Sequence, residues 1–432
     1  MNKNCYRIVF NRARGMLMVV ADITMAAHAL TAPCARQKRP VSSASFRLTR
    51  LSFGLLLAVG GISFPVHAKI IADPQASSAQ QPSVLQTANG IEQINIQPPS
   101  AAGVSHNKYA QFDVEDRGAI LNNGRTHSQT ELAGYVAANP YLAKGEAKVI
   151  LNEVNSRDPS RLNGMLEVAG RRADIVIANP AGITCDGCGF INANRTTLTT
   201  GQVQLSEGKI SHYAVQQGVI RVEGKGMDST RQDSTELLAR AVKINAALHA
   251  NSLTVTVGQN KIDATTGALQ VQSSEERERP QFGIDVSELG GMYANKIVLR
   301  GSESGVGVRN AGTLGASAGD VVITAQGTLT HSGHIQASET IALTARGNIA
   351  SSGVLAAGIT REGQANQTGN LVVTSEADVT LSGVQQAKER VTVSAKQITA
   401  NSSHTQAQHV ELRASKGNVE TRKAVVVAKQ IT

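Results

Sequence analysis

Short bursts of alternating apolar and polar residues fill the chain beyond residue 88. Residues 91–96 (I-E-Q-I-N-I) and 109–114 (Y-A-Q-F-D-V) place apolar side chains on one face at a period of two, which predicts strands. Residues 119–122 are followed by the tight-turn pair Asn123-Gly124. Further strands are predicted over 148–154, 166–169, 174–178 and 195–200, and a short one over 69–72 opens a polar, loose segment that runs to 88. No stretch of a dozen residues keeps a clean helical period. The best candidate is 234–247, where Ser234 can cap and Leu237, Leu238, Ala241 and Ile244 fall on one stripe. Its turn-rich surroundings favour a strand equally, so the reading leans to strand with a short helical turn.

From about residue 310 the pattern repeats. V-V-I-T-A at 321–325 recurs as I-A-L-T-A at 341–345, and G-T-L-T-H-S-G-H-I-Q-A from Gly327 recurs as G-N-I-A-S-S-G-V-L-A-A from Gly347, both at an offset of 20. L-V-V-T-S at 371–375 comes 30 later, which implies an inserted loop near 358–369; V-T-V-S-A at 391–395 and V-E-L-R-A at 410–414 follow after 20 and 19. A unit of this size made of short strands predicts a parallel β-solenoid with one rung per repeat, because a single rung cannot bury its own Val, Ile and Leu. The pattern reaches Thr432 with no capping helix or polar terminal repeat, and the expectation is a piece of a longer parent or a truncated product.

Composition fits that picture. Hydrophobic residues make up 41%, aromatics only 3% with no Trp, and there are 40 Gly, which suits aliphatic strands stacked flat with glycine at the corners. The net charge of +9 changes meaning once it is located. Nine of the 42 basic residues and one of the 33 acids lie in residues 1–68, leaving 33 bases against 32 acids. The basic balance belongs to the leader, so nucleic acid loses its main argument as a partner.

Residues 51–64 (L-S-F-G-L-L-L-A-V-G-G-I-S-F) follow Arg47 and Arg50 and precede P-V-H-A, the layout of a signal peptide cleaved between Ala68 and Lys69. The apolar run is short for a membrane span. A second basic and apolar portion over 1–22 lengthens the leader well beyond the ordinary size. Cys5 and Cys34 fall inside it and receive no role.

The densest group of turn formers is residues 179–192, N-P-A-G-I-T-C-D-G-C-G-F-I-N. Its Cys185 and Cys188 admit four readings. A redox pair needs a βαβ context, and zinc needs two further ligands; neither is in view, with His212 isolated. Free thiols do not suit an oxidising compartment. A local disulfide through Asp186 and Gly187 remains, contributing about 1–2 kcal/mol at most because the loop is so small.

Several motifs in order carry a family resemblance. They are G-V-S-H-N-K-Y-A-Q-F-D-V at 103–114, G-A-I-L-N-N at 118–123, N-P-Y-L at 139–142, V-I-L-N-E-V at 149–154 and the run from 167 to 192. Matches continue through 239–246, 285–294 and 305–312. Together these resemble the haemagglutination-activity domain of two-partner secretion exoproteins, above all filamentous haemagglutinins and contact-dependent growth inhibition exoproteins. The long leader resembles the extended signal region of such proteins.

The resemblance implies an all-β, right-handed parallel β-helix with an N-terminal cap and extra-helical hairpins. It divides the chain into a signal peptide (1–68), a secretion domain (69–310) and the start of a haemagglutinin repeat region (311–432). It implies a Gram-negative exoprotein that passes the periplasm by the Sec machinery. An outer-membrane β-barrel transporter then places it at the surface or in the medium, with a receptor on a host or neighbouring cell as a further partner. Two family motifs map onto Asn139, Pro140, Tyr141 and Leu142, and onto Asn179, Pro180, Ala181, Gly182 and Ile183, which the resemblance makes export signals. Tyr141 and Ala181 stand where the family has Asn, and any role of that middle side chain falls into doubt.

Two other functions compete: a haemolysin of the same secretion class, and a secreted β-helix enzyme acting on polysaccharide. The last rests on Asp228 and Asp233 with Arg231 between them, for which a loop salt bridge is the plainer reading. The mixed charged run 272–280 reads as a projecting solvated loop. No nucleophile elbow, phosphate loop or metal spacing is present in the sequence, and the expectation is no catalysis, no cofactor and no metal.

Overall fold

The computed structural model describes residues 6–11, 16–21, 69–272, 279–360 and 368–432. The leader forms a unit of its own, in which Tyr6–Asn11 and Met16–Ala21 pair antiparallel. The expected cleavage residue Ala68, the apolar run 51–64, Cys5 and Cys34 lie outside the described residues, as do 273–278 of the charged run and 361–367 of the inserted loop.

Residues beyond the leader wind into a parallel β-helix with three faces. One coil shows the path. Ala173–Ala178 lies on the first face, Ile183–Cys185 on the second and Cys188–Ile191 on the third, and Ala193–Thr199 returns to the first one rung further on. Fourteen strands stack on the first face, eleven on the second and fourteen on the third among the described residues. The repeats stack in the register their spacing demands: Val321 pairs with Ile341, Ile341 with Leu371, Leu371 with Val391 and Val391 with Val410. The 30-residue step at 341–371 is therefore one coil carrying an insertion. All three faces continue through residue 310 without a break, and Asn310 pairs directly with His331.

Alternation fills the interior. One coil points Val321, Ile323, Leu329 and Ile335 inward, and the next supplies Ile341, Leu343, Ile349 and Leu355, all at most 1% exposed. Each such aliphatic contributes about 1.5–3 kcal/mol when buried, but only after a neighbouring coil covers it. The corner between the second and third faces is closed by Gly290, Gly312, Gly333, Gly353 and Gly383. A Cβ at each would lie 2.0–2.1 Å from the backbone oxygen of the coil below, so only glycine lets the coils approach.

The cap and hairpins are present. Ile70–Ala72 pairs antiparallel with Val104–Phe112, and Ser83–Gln86 pairs antiparallel with Glu92–Asn95, closing the first rungs at the N-terminal end. Outside the helix, Gln202–Ser206, Lys209–Val215, Asn260–Asp263 and Leu269–Val271 form a four-stranded antiparallel sheet. It covers outward side chains of the first face: Val104, Leu151, Val176 and Leu238 pack with Tyr213, Val215 and Ile262 in a second core. Residues 234–247 form strands, Ser234–Ala239 and Ala241–Ile244, with no helical turn. Leu237 points into the helix and Leu238 under the outer sheet, so both faces are apolar and the stripe imitates a helix.

Candidate functional site

The two Asn-Pro motifs are one device built twice. Asn139 is 3% exposed and Asn179 fully buried. In each, the side-chain Oδ1 accepts the N–H of the residue two positions on, Tyr141 or Ala181, at 2.9 Å. In each, the main-chain carbonyl accepts the N–H three positions on, from Leu142 at 3.3 Å and Gly182 at 3.0 Å. Proline fixes φ between these bonds, which sets the turn locally. The amide Nδ2 then ties the turn to an earlier segment. Asn139 donates to the carbonyls of Ile96 (2.9 Å) and Asn122 (2.8 Å); Asn179 donates to the Asp158 carbonyl (2.9 Å) and Ser160 Oγ (3.0 Å). Every polar atom of both side chains is thereby used inside the fold.

The remaining positions follow from this geometry. Leu142 and Ile183 are buried and carry the chain back into the core. Gly182 sits at φ +126, and a Cβ there would come 3.0 Å from the Val219 carbonyl. The middle residue gives its N–H and not its side chain, which is why Tyr141 and Ala181 are tolerated where the family has Asn. Tyr141 is exposed and shares a 2.6 Å hydrogen bond with Ser83 Oγ.

Cys185 and Cys188 are joined in a disulfide. It closes the corner where the second face gives way to the third, and both residues belong to the core. Gly187, at φ +90, donates its N–H to the Gly226 carbonyl at 2.7 Å, and Asp186 accepts the Lys225 N–H at 2.7 Å. The small loop thus forms the seat for the following coil.

Asp228 and Asp233 are each engaged by other groups. Arg231 reaches back to Glu131 at 2.9 Å instead of bridging its neighbours, because the hairpin Ser128–Thr130/Gly134–Val136 brings that acid beside it. Asp228 Oδ1 accepts the N–H and hydroxyl of Thr230, while Asp233 lies 3.7 Å from Arg172. His212 has one carboxylate neighbour, its Nε2 lying 3.8 Å from Asp263. No group of three His, Cys, Asp or Glu with metal-binding geometry occurs among the described residues.

Sequence reasoning overlooked two carboxylates that act as clips. Glu167, 3% exposed, accepts the N–H groups of Glu131 (2.7 Å) and Leu132 (2.9 Å) and holds the hairpin to the third face. Glu92 accepts the N–H of Ile70 and holds the cap. Burial pushes both carboxyls above the usual range. No sequence pattern marks them, since their partners are backbone groups more than 20 residues away.

The chain thus combines a three-faced parallel β-helix with an antiparallel cap, an extra-helical sheet and two buried Asn-Pro turns. The chain belongs to the family of two-partner secretion (TPS) domains, whose pattern it matches over residues 68–331, and residues 1–53 match the extended signal peptide of type V secretion systems. It is 56% identical over 359 residues to Toxin CdiA of Yersinia pestis, covering 82% of this chain and 11% of that protein. It is 45% identical over 343 residues to tRNA nuclease CdiA-2 of Burkholderia pseudomallei, covering 78% and 11%. The chain thus spans about a tenth of the length of these relatives. Among solved structures, the filamentous hemagglutinin secretion domain superposes with a TM-score of 0.54 at 27% identity, over 83% of this chain and 99% of that one. The secretion domain and the extended signal peptide mark a protein exported across the outer membrane, to the cell surface or the medium.

Proposed function

We propose that the Asn139 and Asn179 segments are read by an outer-membrane β-barrel transporter while the chain is still extended, and that the same residues then lock the first coils as they fold outside. The observation behind this reading is the burial of both asparagines with every polar atom bonded. A partner that recognises those side chains must meet them before the coils close. The Sec machinery delivers the chain to the periplasm, with cleavage between Ala68 and Lys69. Residues 69–310 act in export and 311–432 begin a stalk. In the parent exoprotein this module carries a growth-inhibition effector toward a receptor on a neighbouring cell.

Binding to the periplasmic part of the cognate transporter tests it. The denatured chain, diluted out of urea, is expected to bind, and Asn179→Ala or Asn139→Ala to weaken that binding. Equal binding by the folded chain would remove the claim that the segments are read before folding.

A further inference from the structure

The third face carries an outward column of side chains in register: Met165, Gly189, Asp228, His249 and Tyr293 on successive coils. His249 and Tyr293 stack, with ring centroids 5.1 Å apart and planes 18° from parallel. The opposite side of the His249 ring faces the coil of Asp228, about 4.8 Å away. That level is open. Asp228 is turned aside along its own strand, its Oδ1 held by the Thr230 N–H at 3.0 Å and hydroxyl at 2.7 Å. The level beyond holds Gly189, over which the Met165 side chain lies. A cavity of about 250 Å³ results, with the His249 ring as one wall, Met165 opposite and Asp228 at its edge.

We propose that this cavity is a docking site for an arginine side chain of a protein partner. A planar guanidinium laid on the free side of His249 continues the stack at the level of Asp228, with the carboxylate in its plane. Guanidinium groups favour this pairing of an aromatic face and an in-plane carboxylate. The molecule already contains the arrangement: Arg309 lies 5.1 Å from the centre of the Phe282 ring while its Nε and Nη2 bond Asp285 at 2.7 and 2.9 Å. The apolar stem of the incoming arginine rests on Met165. Two cations lie near Asp228 and each has another acid: Lys225 meets Asp116 at 3.2 Å, and Arg231, though within electrostatic reach of Asp228, bonds Glu131 at 2.9 Å. A compact ammonium lacks the flat face the slot fits, and a neutral flat group lacks the charge Asp228 meets.

Saturation-transfer NMR on the full chain with the capped peptide acetyl-Gly-Arg-Gly-amide tests this, with lysine and citrulline peptides as comparators. The arginine peptide is expected to bind with a dissociation constant of about 1 mM, and both comparators about tenfold more weakly. Asp228→Asn and His249→Ala are each expected to weaken arginine binding about fivefold or more, and His249→Phe to retain it. Asp228 is exposed, so its variant reports on binding even if His249→Ala folds poorly. Equal binding of the citrulline or lysine peptide, no binding of the arginine peptide, or unchanged binding by Asp228→Asn would each overturn the proposal.

Discussion

Asn139 and Asn179, 40 residues apart, make the same turn, each accepting the N–H two residues on at 2.9 Å and each donating twice to an earlier segment. Removing either side chain leaves its hydrogen-bond partners unmet. At Asn179 these are the Ala181 N–H, the Asp158 carbonyl and Ser160 Oγ. Asn179→Ala is expected to lower unfolding stability by about 2–4 kcal/mol, and Asn139→Ala by a similar amount. Urea unfolding of the purified chain checks both. Ala181→Asn should change little, because the turn uses only that residue's backbone N–H.

The glycine corner gives a sharper contrast. Gly333→Ala drives a Cβ to 2.0 Å from the Gly312 carbonyl, and two coils must separate to admit it. A loss of about 3 kcal/mol is expected. Gly134 sits at φ +68 with nothing within 4 Å of its virtual Cβ, so Gly134→Ala meets only backbone strain of about 1–2 kcal/mol. Urea midpoints of the two variants should fall in that order.

The disulfide should matter less than the asparagines. Its loop encloses two residues, so its constraint on the unfolded chain is small and the double substitution Cys185→Ala/Cys188→Ala should lower stability by about 1–2 kcal/mol. Export in the presence of the transporter should persist in this variant and fall in Asn179→Ala. A secretion assay of the two side by side decides it.

His331 ties stability to pH. It lies inside the second face at 1% exposure, its Nδ1 accepting from Asn310 Nδ2 and its Nε2 donating to the Val354 carbonyl, both at 3.2 Å, with His334 nearby. Burial holds the imidazole below its ordinary value, so the folded chain keeps it neutral where the unfolded chain takes up a proton. Its contribution is fully present above about pH 6.5 and is lost as pH falls below that value toward the lowered one. Urea unfolding across this range should show the loss in the wild type and less of it in His331→Leu.

The repeated region of the fold was legible because each coil there buries one set of side chains at a fixed spacing. Val321, Ile341 and Leu371 could be aligned by eye and are hydrogen-bonded neighbours. Legibility failed where a strand is apolar on both sides. Leu237 and Leu238 belong to different cores, and alternation disappears when the outer face is covered as well. The Asn-Pro turns could be read as turns, since Asn, Pro and Gly act locally. Their anchors could not, because Ile96 and Asp158 offer only carbonyl oxygens. Arg231 shows the same limit for charges: the nearest acids in sequence were the expected partners, and Glu131, 100 residues away, is the actual one.

Export in the presence and absence of the transporter is the most direct measurement. The chain is expressed in a Gram-negative host with and without its cognate outer-membrane β-barrel, and the medium and cell surface are assayed for residues beyond the leader. The prediction is export with the barrel, none without it, and a clear loss with the barrel when Asn179 is replaced by Ala. Equal export without the barrel, or full export of Asn179→Ala, would contradict it.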